Sequence, residues 1–261
     1  MIDVIVTGAA GRMGREVVRA VTAAEGMRVV AAIDPSSPGV AIDDGAGASV
    51  LTSSDLDAAL AGGGGRVLVD FTVPTAVEAT VAHALAAGAH CVVGTTGVTE
   101  ERWRALAAAA PEGVCLFVAP NFAVGAVLMM RFAQTAARFM PHVEIIELHH
   151  DRKLDAPSGT AMRTAQLIAE ARGSAPAAPG RETEIAEGAR GALVSGVPVH
   201  SVRLPGLVAN QEVIFGDVGQ TLTLRHDTID RTSFMPGVVL AVREASKHSG
   251  LVIGLEELMG L

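Results

Sequence analysis

Short aliphatic runs separated by helical periodicity fill the first half of the chain. Residues 3–6, 28–33, 66–71, 90–93 and 114–118 read as strands, and residues 12–24, 75–87 and 100–110 as helices. Strands that alternate with helices return parallel to one another through right-handed crossovers. The pattern predicts a doubly wound α/β domain that ends near Asn121.

Beyond that point the rhythm changes. Strands are expected at residues 143–148, 197–204, 212–215 and 220–225, several of them joined by turn residues, which suits an α+β domain with a mixed or mainly antiparallel sheet. Residues 173–180, rich in Ala and Pro, read as a surface loop. An amphipathic helix at 234–246 is expected to return to the first domain. The expected division is therefore discontinuous: residues 1–121 with 231–261 form one domain, and 122–230 a second. Residues 113–130 carry no charge, but Pro120-Asn121 interrupts them, so a strand, a polar loop and a helix start are expected there in place of a membrane span.

Composition narrows the function. The chain of 261 residues is 49% hydrophobic with 29 glycines, no Tyr and one Trp, enough aliphatic material for two cores. Lys and Arg number 20 against 28 Asp and Glu, a net charge of −8. That balance opposes attraction to a phosphate backbone, and few aromatic rings offer stacking, so nucleic acid is not an expected partner. Cys91 and Cys115 sit in apolar runs without metal-ligand spacing, and a reducing, cytoplasmic setting is expected. No signal segment is evident at the N-terminus.

Gly8-Ala9-Ala10-Gly11-Arg12-Met13-Gly14 follows the first strand and opens the first helix. In that position glycine lets the backbone turn tightly and approach a pyrophosphate, whose charge meets free amides and the helix dipole. This context makes the domain Rossmann-like, although the spacing is GxxGxxG and tight packing alone is an alternative reading of the same glycines. Asp34 ends the second expected strand, 20 residues after Gly14, where a carboxylate accepts hydrogen bonds from the adenosine ribose. No Arg follows it to grip a 2′-phosphate, which favours NADH over NADPH, with Arg12 as a possible compensation. Gly94-Thr95-Thr96-Gly97 and Ala119-Pro120-Asn121-Phe122 fall at strand ends, where ligands of open parallel sheets bind, and are candidates to line the nicotinamide and ribose.

The densest chemistry lies at 144–161, where an expected strand runs into a loop of titratable groups and then into a helix that starts at Pro157 or Ser158. Ser158, Gly159 and Thr160 would offer amides and hydroxyls to a carboxylate. His149 and Lys153 suit proton donation and neutralisation of developing charge. A metal site at His149 and His150 is a weaker alternative, because adjacent residues of a strand point to opposite faces. A solvated loop with a satisfied histidine is the bland one.

The motif E-I-x-E-x-H-x-x-x-K-x-D-x-P-S-G-T-A closely resembles the signature of the 4-hydroxy-tetrahydrodipicolinate (dihydrodipicolinate) reductase family. The likeness extends to the glycine turn with Arg12-Met13, to Asp70-Phe71-Thr72, the 94–97 turn, Pro120-Asn121-Phe122, and the late residues Arg225-His226-Asp227, Asp230-Arg231 and Phe234. The resemblance implies NADH- or NADPH-dependent reduction of a cyclic imine dicarboxylate in diaminopimelate and lysine biosynthesis, by a homotetramer. It implies His149 as the active-site histidine, Lys153 as proton donor, and His150, Gly159 and Thr160 as substrate contacts. The dinucleotide contacts it implies are Gly8 to Met13, Asp34, Gly94 to Thr96 and Ala119 to Phe122. One departure stands out: many relatives have His where this chain has Asn210. Another two-domain nicotinamide-dependent reductase would need its own base or a nucleophilic Cys in the second domain. A non-catalytic dinucleotide sensor would have no use for the 149–160 constellation.

Overall fold

The computed structural model describes residues 1–174, 176 and 183–261. Of the loop expected at 173–180, residues 175 and 177–180 lie outside the described residues. The chain divides into two compact units, Met1–Val124 with Arg231–Leu261, and Gly125–Asp230.

The first unit runs β1 (Ile2–Thr7), α1 (Arg12–Ala23), β2 (Met27–Ile33), β3 (Ala41–Asp43), β4 (Ser49–Ser53), α2 (Leu56–Leu60), β5 (Val67–Asp70), α3 (Pro74–Ala86), β6 (His90–Val93), α4 (Glu100–Ala109) and β7 (Cys115–Val118). Helix α5 (Val124–Ala136) begins at its boundary. The chain re-enters the unit through a 3-10 turn, Arg231–Phe234. Helix α7, Met235–Ala245, the last strand, Gly250–Ile253, and a short final helix, Leu255–Met259, complete it.

These strands form one sheet, ordered last strand, β7, β6, β5, β1, β2, β4, β3, parallel throughout except for β3 against β4. Strands β5, β6 and β7 are buried along their whole length, as a parallel sheet covered on both faces requires. Ile5, Leu68, Cys91 and Leu116 face one way, onto Val77, Val81 and Leu85 of α3 and Trp103 of α4. Helices α1 and α7 pack together and against the strands, and the alternate side chains, such as Val4 and Val6, point opposite Ile5. The expected late helix thus belongs to this unit.

The second unit holds the rest of α5, β8 (His142–His149), α6 (Gly159–Arg172), β9 (Ala192–Val194), β10 (Val197–Arg203), β11 (Ala209–Asp217) and β12 (Gln220–Thr228). Its sheet is mixed, ordered β12, β11, β8, β10, β9. Only β8 and β10 run parallel, because α6 carries the chain back between them. The other neighbours are antiparallel. Between β9 and β10, Ser195 and Gly196 both take positive φ, 50° and 77°, the geometry of a two-residue hairpin turn. Ile145, Val199, Val213 and Phe215 form the core with Met129 and Ala133 of α5 and Ala165 and Ile168 of α6.

The uncharged stretch 113–130 resolves into β7, a loop and the start of α5. No helix among the described residues is long and apolar enough to cross a membrane.

Candidate functional site

In the first unit, strand register lines up one edge. Thr7 pairs with Ile33 and Asp70, Asp70 with Val93, and Val93 with Val118. The residues that follow them, Gly8, Asp34, Phe71, Gly94 and Ala119, therefore start neighbouring loops at the carboxyl end of the sheet. Strands β2 and β5 leave β1 on opposite sides, so the glycine turn sits where strand order reverses, the position at which open parallel sheets bind ligands.

Backbone geometry explains two of its glycines. Gly8 has φ +71°, and a Cβ there would stand 2.6 Å from the carbonyl oxygen of Phe71. A Cβ on Gly14 would stand 2.1 Å from the carbonyl oxygen of Gly8. Tight packing is thus real at both positions. It does not account for the rest: Gly11 is the N-cap of α1, no side chain caps the helix, and its first turn carries no acid. That end is left to accept an anion. The Asp34 carboxylate accepts the amide of Ala10 at 3.0 Å and that of Ser36 at 3.2 Å, which fixes it against the turn with lone pairs to spare for hydroxyl donors. Arg12 is exposed and Met13 half-buried, while Ala9 is buried. The donor set fits a dinucleotide.

A second carboxylate, Asp70, is fully buried and ties three loops together. It accepts from the hydroxyls of Thr7 at 2.7 Å, Thr72 at 2.9 Å and Thr95 at 2.6 Å, and from the Thr72 amide at 3.1 Å. Thr95 thus points inward, Thr96 is exposed, and the ring of Phe71 lies where a Cβ on Gly94 would be. Of the next loop, Ala119 is buried and Pro120 exposed, and Asn121 Oδ1 accepts the amide of Ala123 at 2.8 Å. Phe122 packs against Phe71 and Phe117, with ring centroids 5.7 and 5.9 Å away. Its side chain is spent on the core, and its carbonyl packs against α7, where a Cβ on Gly237 would stand 2.1 Å from the Phe122 oxygen.

In the second unit, His149 ends β8 and shares a face with Glu147, two residues earlier. His149 Nδ1 lies 2.5 Å from Glu147 Oε2. Arg203, the last residue of β10, donates from both terminal nitrogens to Glu147, one to each oxygen at 2.8 Å. The Ser158 amide donates to Glu147 Oε1 at 3.2 Å. Burial pushes this carboxyl up, but the hydrogen bonds from His149, Arg203 and Ser201 outweigh it and hold Glu147 at about 2.

Ser158 is the N-cap of α6, which starts at Gly159, one residue after the later of the two expected starts, and its hydroxyl accepts the Ala161 amide at 3.2 Å. Gly159 and Thr160 form the first turn, with open space where a Cβ on Gly159 would project. Lys153 Nζ donates to both oxygens of Asp155 at 2.8 Å, and the Asp155 carbonyl accepts from Arg203 at 2.6 Å. Among the described residues, the buried atoms without a hydrogen-bond partner include His150 Nδ1 and Asn210 Oδ1, and beside them Arg203 Nε and Gln211 Oε1. His149, Lys153 and the helix start are therefore joined through Glu147, Asp155 and Arg203, while His150 follows His149 directly. No three described His, Cys, Asp or Glu side chains gather as metal ligands.

Sequence reasoning left Glu147 and Arg203 without a role. Glu147 is detectable from its spacing of two before His149 on a strand. Arg203 has no local signal, since only the register of β8 with β10 brings it there.

A doubly wound dinucleotide unit joined in one chain to a unit that presents lysine, histidine and an open helix start defines a nicotinamide-dependent oxidoreductase. Residues 2–122 match the family model described as dihydrodipicolinate reductase, N-terminus, and residues 125–259 the one described as dihydrodipicolinate reductase, C-terminus, so the chain belongs to the dihydrodipicolinate reductase family. The 4-hydroxy-tetrahydrodipicolinate reductase of Mycolicibacterium vanbaalenii is 50% identical over 98% of this chain and 98% of its own. That of Moorella thermoacetica is 49% identical over 99% and 98%. Among solved structures, dipicolinate-bound dihydrodipicolinate reductase from Paenisporosarcina sp. TG-14 superimposes with a TM-score of 0.86 at 44% identity, covering 98% of this chain and 99% of that one.

Proposed function

We propose that the chain reduces 4-hydroxy-tetrahydrodipicolinate, or its dehydrated form dihydrodipicolinate, to tetrahydrodipicolinate in diaminopimelate and lysine biosynthesis. The observation that carries this reading is the join of His149, Lys153 and the α6 start within one unit of a chain whose other unit suits a dinucleotide. The Paenisporosarcina relative is described with dipicolinate, a planar ring dicarboxylate, and the same chemistry suits the open first turn of α6 here.

Bound reduced nicotinamide supplies the hydride. As it reaches the ring, negative charge moves toward the imine nitrogen, and a cation beside that atom stabilises it. Lys153 is that cation and gives up the proton. In the structure its ammonium rests on Asp155, a partner it exchanges for the ring. The amides of Gly159 and Thr160 and the hydroxyls of Ser158 and Thr160 receive one ring carboxylate, the Ser158 amide being held by Glu147, and His150 contacts the substrate through the nitrogen that has no partner among the described residues. His149 polarises the site. A nucleophilic cysteine has no place in this chemistry: burial pushes the Cys115 thiol up to about 11 and that of Cys91 higher still.

The dinucleotide is held by Gly8, Ala9, Ala10, Gly11, Arg12 and Met13, by Asp34 at the ribose, and by the loops Gly94 to Thr96 and Ala119 to Phe122. A carboxylate at the ribose accepts from a 2′-hydroxyl and repels a 2′-phosphate, so NADH is the preferred donor and NADPH the second. The working form is a cytoplasmic homotetramer.

The test supplies the condensation product of aspartate semialdehyde and pyruvate and follows the absorbance of NADH and NADPH in parallel. The expected result is turnover with both and lower KM for NADH, with K153A losing turnover while retaining dinucleotide affinity. Unchanged turnover in K153A removes Lys153 from the mechanism, and severalfold tighter binding of NADPH overturns the cofactor preference.

A further inference from the structure

Glu147 stands where a carboxylate is costly, on the core face of β8 with no exposed surface. The groups around it come from several elements. Arg203 on β10 donates to both oxygens, the Ser158 amide at the start of α6 donates to Oε1, and Ser201 on β10 adds a further hydrogen bond. Across β11 the residue opposite Glu147 is neutral Gln211, and the residue opposite His149 is Ala209. Lys153 is engaged by Asp155. The partner left for Oε2 besides Arg203 is His149 Nδ1, at 2.5 Å.

An ionised carboxylate only accepts hydrogen bonds. The ring nitrogen that faces it must therefore carry the proton, whether the imidazole is neutral or charged. Nε2 is then the nitrogen that differs between the two states, bare in one and protonated in the other.

We propose that Glu147 is a positioning residue: it fixes His149 as the Nδ1–H tautomer and leaves Nε2 to face the ring substrate, with Arg203 keeping the carboxylate ionised. The logic is that of a buried acid orienting a catalytic histidine. One carboxylate thereby sets the histidine and, through the Ser158 amide, the helix start that receives the substrate's charge. The proposal rests on the placement of His149 in the site under Proposed function.

The test reads the tautomer directly in the intact chain labelled with 15N-histidine, with the His149 signals identified by their loss in H149N. The expected spectrum of the neutral ring shows protonated Nδ1 and bare Nε2; the reverse pattern overturns the proposal. In E147Q the amide can donate to Nδ1, so the tautomer should invert and kcat fall by about 10²-fold, the lower limit for loss of one group that polarises the site. KM for reduced nicotinamide should not move, because that site lies in the other unit. Should E147Q fail to fold because Arg203 is left unpaired, E147Q/R203M removes both charges and carries the same two expectations. If H149N keeps its kcat, the placement of His149 fails. If H149N loses kcat while the folded Glu147 variant keeps both rate and tautomer, the positioning role fails alone.

Discussion

Replacing Gly14 by alanine sets two effects of opposite sign against each other. In an exposed helix the change stabilises by about 1 kcal/mol. Gly14, however, is buried in the first turn of α1, where a Cβ would stand 2.1 Å from the Gly8 carbonyl oxygen and 2.6 Å from Ala9 Cα. Both atoms are backbone, so no rotamer relieves the contact, and either the helix or the turn must move. Overpacking a close-packed site costs about 1–3 kcal/mol, and a backbone clash this deep belongs at the upper limit. The net expectation is a loss of about 2 kcal/mol. Displacement of the turn should also weaken dinucleotide binding. The chain has one Trp and no Tyr, and Trp103 is buried in the first unit, so its emission during urea unfolding follows that unit selectively. Calorimetric titration with NADH supplies the second reading. Gly11→Ala grades the effect: its Cβ comes to 3.0 Å from the same Gly8 oxygen, a tight but shallower contact, and φ there is −70°, which alanine adopts freely, so it should cost less stability than Gly14→Ala. A Gly14→Ala chain that is more stable and binds NADH as well as before would refute the steric argument, leaving helix propensity as the dominant effect.

Two further outcomes follow from the second unit. Ser158→Ala removes the N-cap acceptor of α6 and should cost about 1 kcal/mol, with KM for the ring dicarboxylate raised more than kcat is lowered; equal KM in steady-state assays would detach the helix start from substrate binding. Glu147 sets an acid limit: held at about 2 against an ordinary 4.5, it contributes about 3 kcal/mol, at about 1.4 per tenfold change in proton affinity. Because the folded carboxyl is the stronger acid, this stability is complete above pH 4.5 and is lost as pH falls toward 2. The gap in unfolding free energy between wild type and E147Q, followed by circular dichroism, should narrow across that window; a constant gap would contradict the assignment.

The elements that could be read from sequence were those with enough residues to show a period. Strands β1, β2 and β5 to β8 and helices α1, α3, α4 and α7 fall within two residues of expectation. Strands β3 and β4 did not show themselves, because three and five residues flanked by Gly39, Gly45 and Gly47 give no alternation to count. The last strand, Gly250–Ile253, is equally short and is placed only by its parallel pairing with β7. At the candidate site, the residues of 149–160 were legible because they crowd into one loop and one helix start. Arg203 was not, since 54 positions separate it from His149 and its place depends on a cross-strand register. Phe122 was legible as part of a strand-end loop, but its side chain turned out to serve the aromatic cluster with Phe71 and Phe117.

Asp70 bears on how such a protein can be altered. Its carboxylate is shared by Thr7, Thr72 and Thr95, so the ends of β1, β5 and β6 are tied to one acid and form one block. Cofactor specificity redesigned by grafting a single loop from a relative would leave a buried acid short of a donor. The three threonines and the acid therefore make a minimum unit of exchange, to be transplanted together or left alone. Asp34, anchored to the Ala10 and Ser36 amides and outside that block, is the point at which ribose recognition can drift by single substitutions.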